Sequence, residues 1–223
     1  MEDIVIVGAG GFGREVLALI NDINRVAPQW NVVGFADDRP QLRGSTVSGR
    51  PVLGPITELA QRRLSPRFVL GIGSPADKAR VAEPLLAAGL EAPALVHPSV
   101  VASSSVSFSE GCVICAGTIL TCDIHVGRFV TINLACTIGH DSLLGDFVTI
   151  APGVHVSGNV VVEEGCEVGT GVATVQGRRL GAWSMVGAGA VVSSDIPPNC
   201  TAVGIPARAV KQRAPGWQRE HTP

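Results

Sequence analysis

The chain has 223 residues, of which 46% are hydrophobic and 16% are charged, a composition that excludes an intrinsically disordered protein. A net charge of −2 gives no electrostatic basis for binding nucleic acid or an anionic membrane surface. No signal-peptide pattern follows Met1, and no apolar run reaches the roughly 18 residues of a membrane span. We therefore expect a cytoplasmic protein with neither nucleic-acid nor membrane partners.

The first 95 residues alternate between strand and helix patterns. A β-branched run at 4–7 ends in a glycine-rich loop and is followed by a helical pattern at 14–24. The later elements follow the same rule: a strand at 31–35, a helix at 56–64, a strand at 67–72 and a helix from 75 to 88. This alternation predicts a small, parallel, Rossmann-like α/β domain over residues 1–95.

The glycine-rich loop is the first candidate binding site. Gly8, Gly10 and Gly13 match GxGxxG between a strand and a helix, where free backbone N–H groups bind phosphate. We predict a mononucleotide site, with the diphosphate at Gly10, Gly11 and Phe12, and Asp37, Asp38 and Gly73 at the nucleoside end. A packing turn without a ligand is one alternative. A nicotinamide dehydrogenase is another, but residues 1–95 supply only half of a dinucleotide domain.

A period of six residues dominates the second part of the chain. Every sixth residue from Phe108 to Val192 is apolar except Thr174. Helices repeat near 3.6 residues and strands near 2, so this period predicts a parallel β-helix, over residues 96–198. The pattern resembles the hexapeptide repeats of the left-handed β-helix transferases, in which three hexads form one coil and residues eighteen apart stack. Pro197 and Pro198 are expected to end the β-helix, and residues 199–223 to form a tail.

The cysteines and most of the histidines do not suggest a metal site. Cys112, Cys136 and Cys166 share a repeat position with Val and Ile, which indicates small core residues. Cys112 and Cys115 form a lone CxxC without a second pair for zinc. His125, His140 and His155 are fifteen residues apart, not eighteen, so they do not stack into a triad within one chain. No metal is therefore expected.

His140 is the candidate general base. It follows the inward-facing Ile138 by two residues, at a predicted corner, and Asp141 beside it could orient its ring. Gly158 lies one coil above and is expected to leave an open channel beside the imidazole. The alternative is a surface histidine in a turn.

Several motifs together resemble the sialic-acid-cluster and bacillosamine-type sugar acetyltransferases. The resemblance covers nearly the whole chain and is carried by 7–11, 132–133, 139–147, 151–153, 158–160 and 203–207. It implies a homotrimer, with acetyl-CoA bound between neighbouring β-helices. It also implies a nucleotide-linked amino sugar held by the N-terminal domain and acetylated on its amine.

The resemblance also implies roles for individual residues. His140 would act as the base, tuned by Asp141, with Asn133 near the reaction centre. The coenzyme contacts would come from Thr149, Gly158, Gly187 and Ala188. Arg208 is added to them on its charge alone, because the basic C-terminal segment could bind the coenzyme phosphates, and the alternative is a solvated tail. The chain departs from the family pattern twice, because Thr149 and Phe12 stand where relatives carry a histidine.

Two other functions remain open at the level of sequence. An O-acyltransferase would use the same histidine on a sugar hydroxyl. A non-catalytic, nucleotide-binding β-helix protein would share the fold without any turnover.

Overall fold

The computed structural model describes residues 1–59 and 67–219. The N-terminal domain contains a five-stranded sheet, ordered Thr46–Val47, Arg50–Gly54, Trp30–Ala36, Glu2–Val7 and Phe68–Leu70. Its strands pair in parallel except at the Thr46–Val47 edge. This confirms the Rossmann-like α/β domain.

Three helices and one short 3-10 helix accompany this sheet: Gly11–Val26, Ile56–Leu59, Pro75–Ala87 and Pro40–Leu42. The first helix begins directly after Gly10, three residues earlier than the pattern predicted, and it buries Val16, Leu17, Ile20 and Ile23 at helical spacing. The predicted continuation of the second helix over 60–64 lies outside the described residues.

Residues 95–192 form the expected left-handed β-helix, whose strands are each two residues long. Each strand pairs in parallel with the strand eighteen residues away, as Thr131 does with Thr149 and Thr137 does with His155. The inward residues of the period-six series from Ile114 to Val192 are buried, which confirms the repeat register.

The β-helix has the shape of a triangular prism, and three sheets form its sides. We call them the covered face, the second face and the third face. The covered face contains Leu95–Val96, Val113–Ile114, Thr131–Ile132, Thr149–Ile150, Glu167–Val168, Met185–Val186, Cys200–Val203 and Arg208–Gln212. The second face contains Val101–Ala102, Ile119–Leu120, Thr137–Ile138, His155–Val156, Ala173–Thr174 and Val191–Val192. The third face contains Ser107–Phe108, His125–Val126, Leu143–Leu144, Val161–Val162 and Arg179–Leu180.

The corners of the prism repeat as regularly as its strands. From Gly111 to Gly189, one residue in each corner is left-handed, with φ between 54° and 74°, and these residues are six apart. The series is Gly111, Gly117, Asp123, Phe129, Ala135, Asp141, Phe147, Gly153, Asn159, Gly165, Gly171, Gly177, Trp183 and Gly189. Asp141 therefore occupies the left-handed position of its corner, directly after His140.

The N-terminal domain packs against the covered face. Phe129 stacks between Phe68 and Phe147, with ring centroids 6.0 and 5.7 Å apart. The Thr149 hydroxyl donates to the Gly73 carbonyl at 2.7 Å. These contacts leave the corner between the second and third faces, opposite the covered face, clear of the domain.

The C-terminal end differs from the prediction. The strand Cys200–Val203 pairs in parallel with Met185–Val186. The strand Arg208–Gln212 then pairs antiparallel with Cys200–Val203. The strand pairing therefore continues past Pro197 and Pro198, contrary to our expectation. Both prolines lie between strands, so their missing N–H groups interrupt no pairing.

Within residues 1–59 and 67–219, no helix has the length and apolar character needed to cross a membrane. Cys112, Cys136 and Cys166 are fully buried free thiols, which confirms their prediction as core residues. The described part of the chain contains no group of three or more His, Cys, Asp or Glu side chains that could hold a metal ion.

Candidate active site

His140 and Asp141 form a hydrogen-bonded pair at an exposed corner. Nδ1 of His140 lies 2.7 Å from Oδ2 of Asp141, and half of the imidazole surface is exposed. Because a carboxylate only accepts hydrogen bonds, this geometry places the proton on Nδ1. Nε2 then carries the lone pair, and no group in the described part of the chain is hydrogen-bonded to it. The pair has the arrangement of an oriented general base.

Gly158 lies against the ring of His140. A Cβ atom at Gly158 would fall 2.6 Å from Cε1 of His140 and would also collide with Nε2. The expected open channel is therefore absent, because the imidazole itself occupies the space that glycine leaves. The stacking prediction is confirmed, since the N–H group of Asn159 donates to the His140 carbonyl at 2.6 Å.

The predicted catalytic residues lie on two edges of the prism. We call the corners 133–136, 151–154, 169–172 and 187–190 the first edge, between the covered and second faces. The corners 139–142 and 157–160 belong to the second edge, between the second and third faces. Asn133 lies on the first edge and His140 on the second, at opposite ends of the strand Thr137–Ile138. One chain therefore does not bring Asn133 to the imidazole.

The predicted coenzyme residues are divided in the same way. Gly158 lies on the second edge, whereas Gly187 and Ala188 lie on the first edge, three coils above Asn133. Arg208 begins the last strand of the covered face, and the N–H group of its neighbour Ala207 donates to the carbonyl of Val191, directly after the corner 187–190, at 2.8 Å.

Thr149 belongs to neither edge. It lies on the covered face, is only 9% exposed, and uses its hydroxyl to hold Gly73. In this chain the hydroxyl therefore fastens the N-terminal domain to the β-helix.

Glycines allow the loop before the first helix to approach the sheet closely. A Cβ atom at Gly13 would overlap the Gly8 carbonyl, and one at Gly71 would lie 2.5 Å from Cα of Gly13. Gly10, by contrast, has open space on its Cβ side. The N–H groups of the first helical turn beyond it have no intrahelical acceptor, as at any helix start. This combination suits a phosphate at Gly10.

A cavity of about 550 Å³ opens beside this loop. Its lining includes Gly10, Asp37 and Asp38 of the predicted site, together with Arg39 and Arg80. Gly73 lies just beyond its wall at Gly71 and Ile72. The structure therefore brings three of the six predicted nucleotide-binding residues, Gly10, Asp37 and Asp38, to one cavity.

Three of these predicted residues already have partners. Asp37 is 8% exposed, and its hydrogen bonds from the Arg39 guanidinium lower its pKa to about 2. Asp38 accepts the Ile56 N–H at 2.8 Å. Phe12 is half-buried, and its ring packs against the apolar cluster beneath the first helix.

Sequence reasoning missed Lys78, which joins the two domains. Its side chain is 1% exposed, and Nζ donates to the carbonyls of Phe129 and Val148, at 2.8 and 3.0 Å, and to the Thr131 hydroxyl at 3.3 Å. Burial lowers its pKa to about 7. The signal was present, because Lys78 shares helical spacing with the buried Val81, Ala82 and Leu85.

Comparisons with known proteins cover both domains of the chain. Residues 3–85 match the family model described as the PglD N-terminal domain. GDP-perosamine N-acetyltransferase of Escherichia coli O157:H7 is 32% identical over 217 residues, spanning 93% of this chain and 96% of that protein.

Two solved structures share the fold of nearly the whole chain. The acetyltransferase domain of PglB from Neisseria gonorrhoeae FA1090, in complex with acetyl coenzyme A, is 31% identical with a TM-score of 0.84, covering 94% of this chain and 99% of that chain. PerB from Caulobacter crescentus, in complex with CoA and GDP-perosamine, is 29% identical with a TM-score of 0.84, covering 94% and 97%. The chain belongs to the bacillosamine-type sugar acetyltransferase family.

Proposed function

We propose that the protein transfers the acetyl group of acetyl-CoA to the amine of a nucleotide-linked amino sugar. The observation that carries this proposal is the hydrogen-bonded His140–Asp141 pair, which lies at an exposed corner with Nδ1 of the imidazole facing the carboxylate. The relatives support the choice of substrates, since the PerB structure contains CoA and GDP-perosamine and the PglB structure contains acetyl-CoA. Within this proposal the reaction takes place in the cytoplasm.

His140 acts as general base in this proposal. The sugar amine attacks the thioester carbonyl carbon, a C–N bond forms, and the C–S bond breaks as the coenzyme thiolate leaves. Nε2 takes the proton that the amine loses, while Asp141 keeps the Nδ1 proton in place and stabilises the imidazolium. A ternary complex suffices, because one binding event aligns the amine with the thioester.

The division of the site between two edges supports a trimer. The nucleotide cavity belongs to a domain on the covered face, whereas His140 lies at the opposite corner. In a cyclic trimer, the first edge of one copy can face the second edge of the next. Such an arrangement would bring Asn133, Gly187 and Ala188 beside the neighbouring His140 and Gly158. Sedimentation should give the mass of three 23.0 kDa chains, and the mass of one chain would contradict the proposal.

Product analysis separates amine from hydroxyl transfer. The protein is incubated with acetyl-CoA and nucleotide-linked 3- and 4-amino sugars, and the product is analysed by mass spectrometry before and after mild alkali. An amide persists and an ester is hydrolysed. A product that loses its acetyl group in alkali would replace this proposal with O-acyl transfer.

A further inference from the structure

Hydrogen-bond donors of the chain itself occupy both carboxylate oxygens of Asp37. Oδ2 accepts the Ala9 N–H and Nη2 of Arg39, each at 2.8 Å. Oδ1 accepts Nε of Arg39 at 2.8 Å and the backbone N–H of Arg39 at 3.0 Å. A carboxylate has about four lone-pair positions. These donors use all of them, so Asp37 has none left for a ribose hydroxyl or a base.

The same contacts fix Arg39 in one orientation. Its Nε and Nη2 atoms form a two-pronged contact with Asp37, which leaves Nη1 without a hydrogen-bond partner among the described residues. The side chain is 48% exposed and lines the cavity together with Gly8 and Gly10. The guanidinium is therefore held in a fixed orientation at the wall of the cavity, and its Nη1 remains available as a donor.

We propose that Asp37 is a positioning residue that holds the glycine loop through Ala9, and that Arg39 is the residue that binds the nucleoside of the substrate. The inference rests on the proposed function and names a specificity-determining group of the same site. Asp37 directly follows the strand Trp30–Ala36, where a domain of this kind places the ribose. Arg39 accordingly lies at the nucleoside end, and the diphosphate at Gly10.

The chemistry of a guanidinium suits this role. Its planar donors match the ribose and base oxygen acceptors, and its flat face can stack on a base. A lysine ammonium supplies the charge without the planar donor set. Substitution by lysine therefore distinguishes nucleoside binding from simple charge attraction to phosphate.

Calorimetric titration with GDP and with UDP tests the inference without turnover. For whichever nucleotide the unmodified protein binds, Arg39→Gln and Arg39→Lys should both raise the Kd by about 10-fold, the loss of a hydrogen bond from a charged group. Arg43→Gln is the matched control, because Arg43 is an exposed arginine paired with Glu58 and does not line the cavity. It should leave the Kd unchanged.

Steady-state kinetics test the positioning role of Asp37. Asp37→Asn should raise the KM for the nucleotide sugar by about 10-fold, while kcat and the KM for acetyl-CoA stay close to those of the unmodified enzyme. A general structural defect would change all three values.

The possible outcomes separate the two proposals. If Arg39→Gln or Arg39→Lys binds the nucleotide as tightly as the unmodified protein, the role of Arg39 is overturned. If Asp37→Asn lowers kcat and raises both KM values together, the positioning role is overturned. If the unmodified protein binds neither GDP nor UDP, the assignment of this cavity to a nucleoside is overturned, whereas the proposed acetyl transfer is decided separately by assays with nucleotide-linked amino sugars.

Discussion

The imidazole of His140 rests on Gly158, one coil above it, in space that any other side chain at position 158 would fill. Gly158→Ala should therefore displace the ring and lower kcat by about 100-fold, because a displacement of about 1 Å is enough to misalign a catalytic group. Melting temperature and kcat should be measured together, with Gln176→Ala, one coil further up the same column, as the control. A fully active Gly158→Ala protein would show that the position of the ring is not critical.

Asp141→Asn tests the orientation of the same imidazole. Asparagine tolerates the left-handed backbone of this corner, so the fold should survive. The amide cannot hold the imidazolium as a carboxylate does, and we expect kcat to fall by about 100-fold with little change in either KM.

Asp123→Asn is a matched control for this change. Asp123 occupies the same corner position one coil below, also with a left-handed backbone, but among the described residues no hydrogen bond joins its carboxylate to an imidazole. Equal losses in the two variants would attribute the effect to the corner and not to His140.

Thr149→Val tests the contact between the two domains. The substitution removes the hydroxyl that donates to the Gly73 carbonyl and should cost about 1 kcal/mol of unfolding free energy. Because Gly73 lies next to the cavity, we expect a rise in the KM for the nucleotide sugar and little change in the KM for acetyl-CoA. Thr149→Ser keeps the hydroxyl donor and should restore both the unfolding free energy and the KM for the nucleotide sugar. A change confined to the KM for acetyl-CoA would assign Thr149 to the coenzyme instead.

Lys78 gives stability an unusual dependence on pH. Its folded-state pKa of about 7 lies below the ordinary value of 10.5, because burial disfavours the charged amine. Below pH 7 both states carry the proton, and the folded state bears the full cost of the buried charge. Above pH 7 the folded protein releases the proton while the unfolded chain keeps it. Stability from this group therefore rises with pH, by about 2 kcal/mol between pH 7 and pH 9.

Urea unfolding at pH 7 and pH 9 measures this effect. The Lys78→Met protein lacks the titrating group but shares all others, so the difference between the two proteins isolates Lys78. The unmodified protein should gain about 2 kcal/mol relative to Lys78→Met over this range. A constant difference would mean that the buried amine does not titrate there.

The repeat was predictable because each inward residue depends mainly on its neighbours eighteen positions away. Ile138, for example, is fully buried at its predicted register, and His140 lies at its predicted corner. Those positions follow from a strict period that local packing enforces along the whole β-helix.

Contacts between distant parts of the chain were not predictable in the same way. Lys78 donates a hydrogen bond to the carbonyl of Phe129, which lies 51 residues away in the sequence. Nothing in either segment specifies which face of the β-helix the N-terminal domain covers. Asp37 illustrates the same limit, since its position after a strand was predicted but its hydrogen bonds to Ala9 and Arg39 depend on the folded loop. The six-residue period also did not predict the strand at Cys200. Its residues pair with partners sixteen positions earlier, as Thr201 does with Met185, and not eighteen, so this strand does not follow the repeat.

In the proposed reaction, His140 takes the proton that the sugar amine loses during acetyl transfer. The most direct test is thiol release from acetyl-CoA with a panel of nucleotide-linked amino sugars, comparing the unmodified protein, His140→Ala and His125→Ala. His125 is an exposed histidine on the third face and serves as the control. We predict release with at least one amino sugar, reduced by about 1000-fold in His140→Ala and unchanged in His125→Ala. Undiminished release by His140→Ala at saturating substrates would contradict the account.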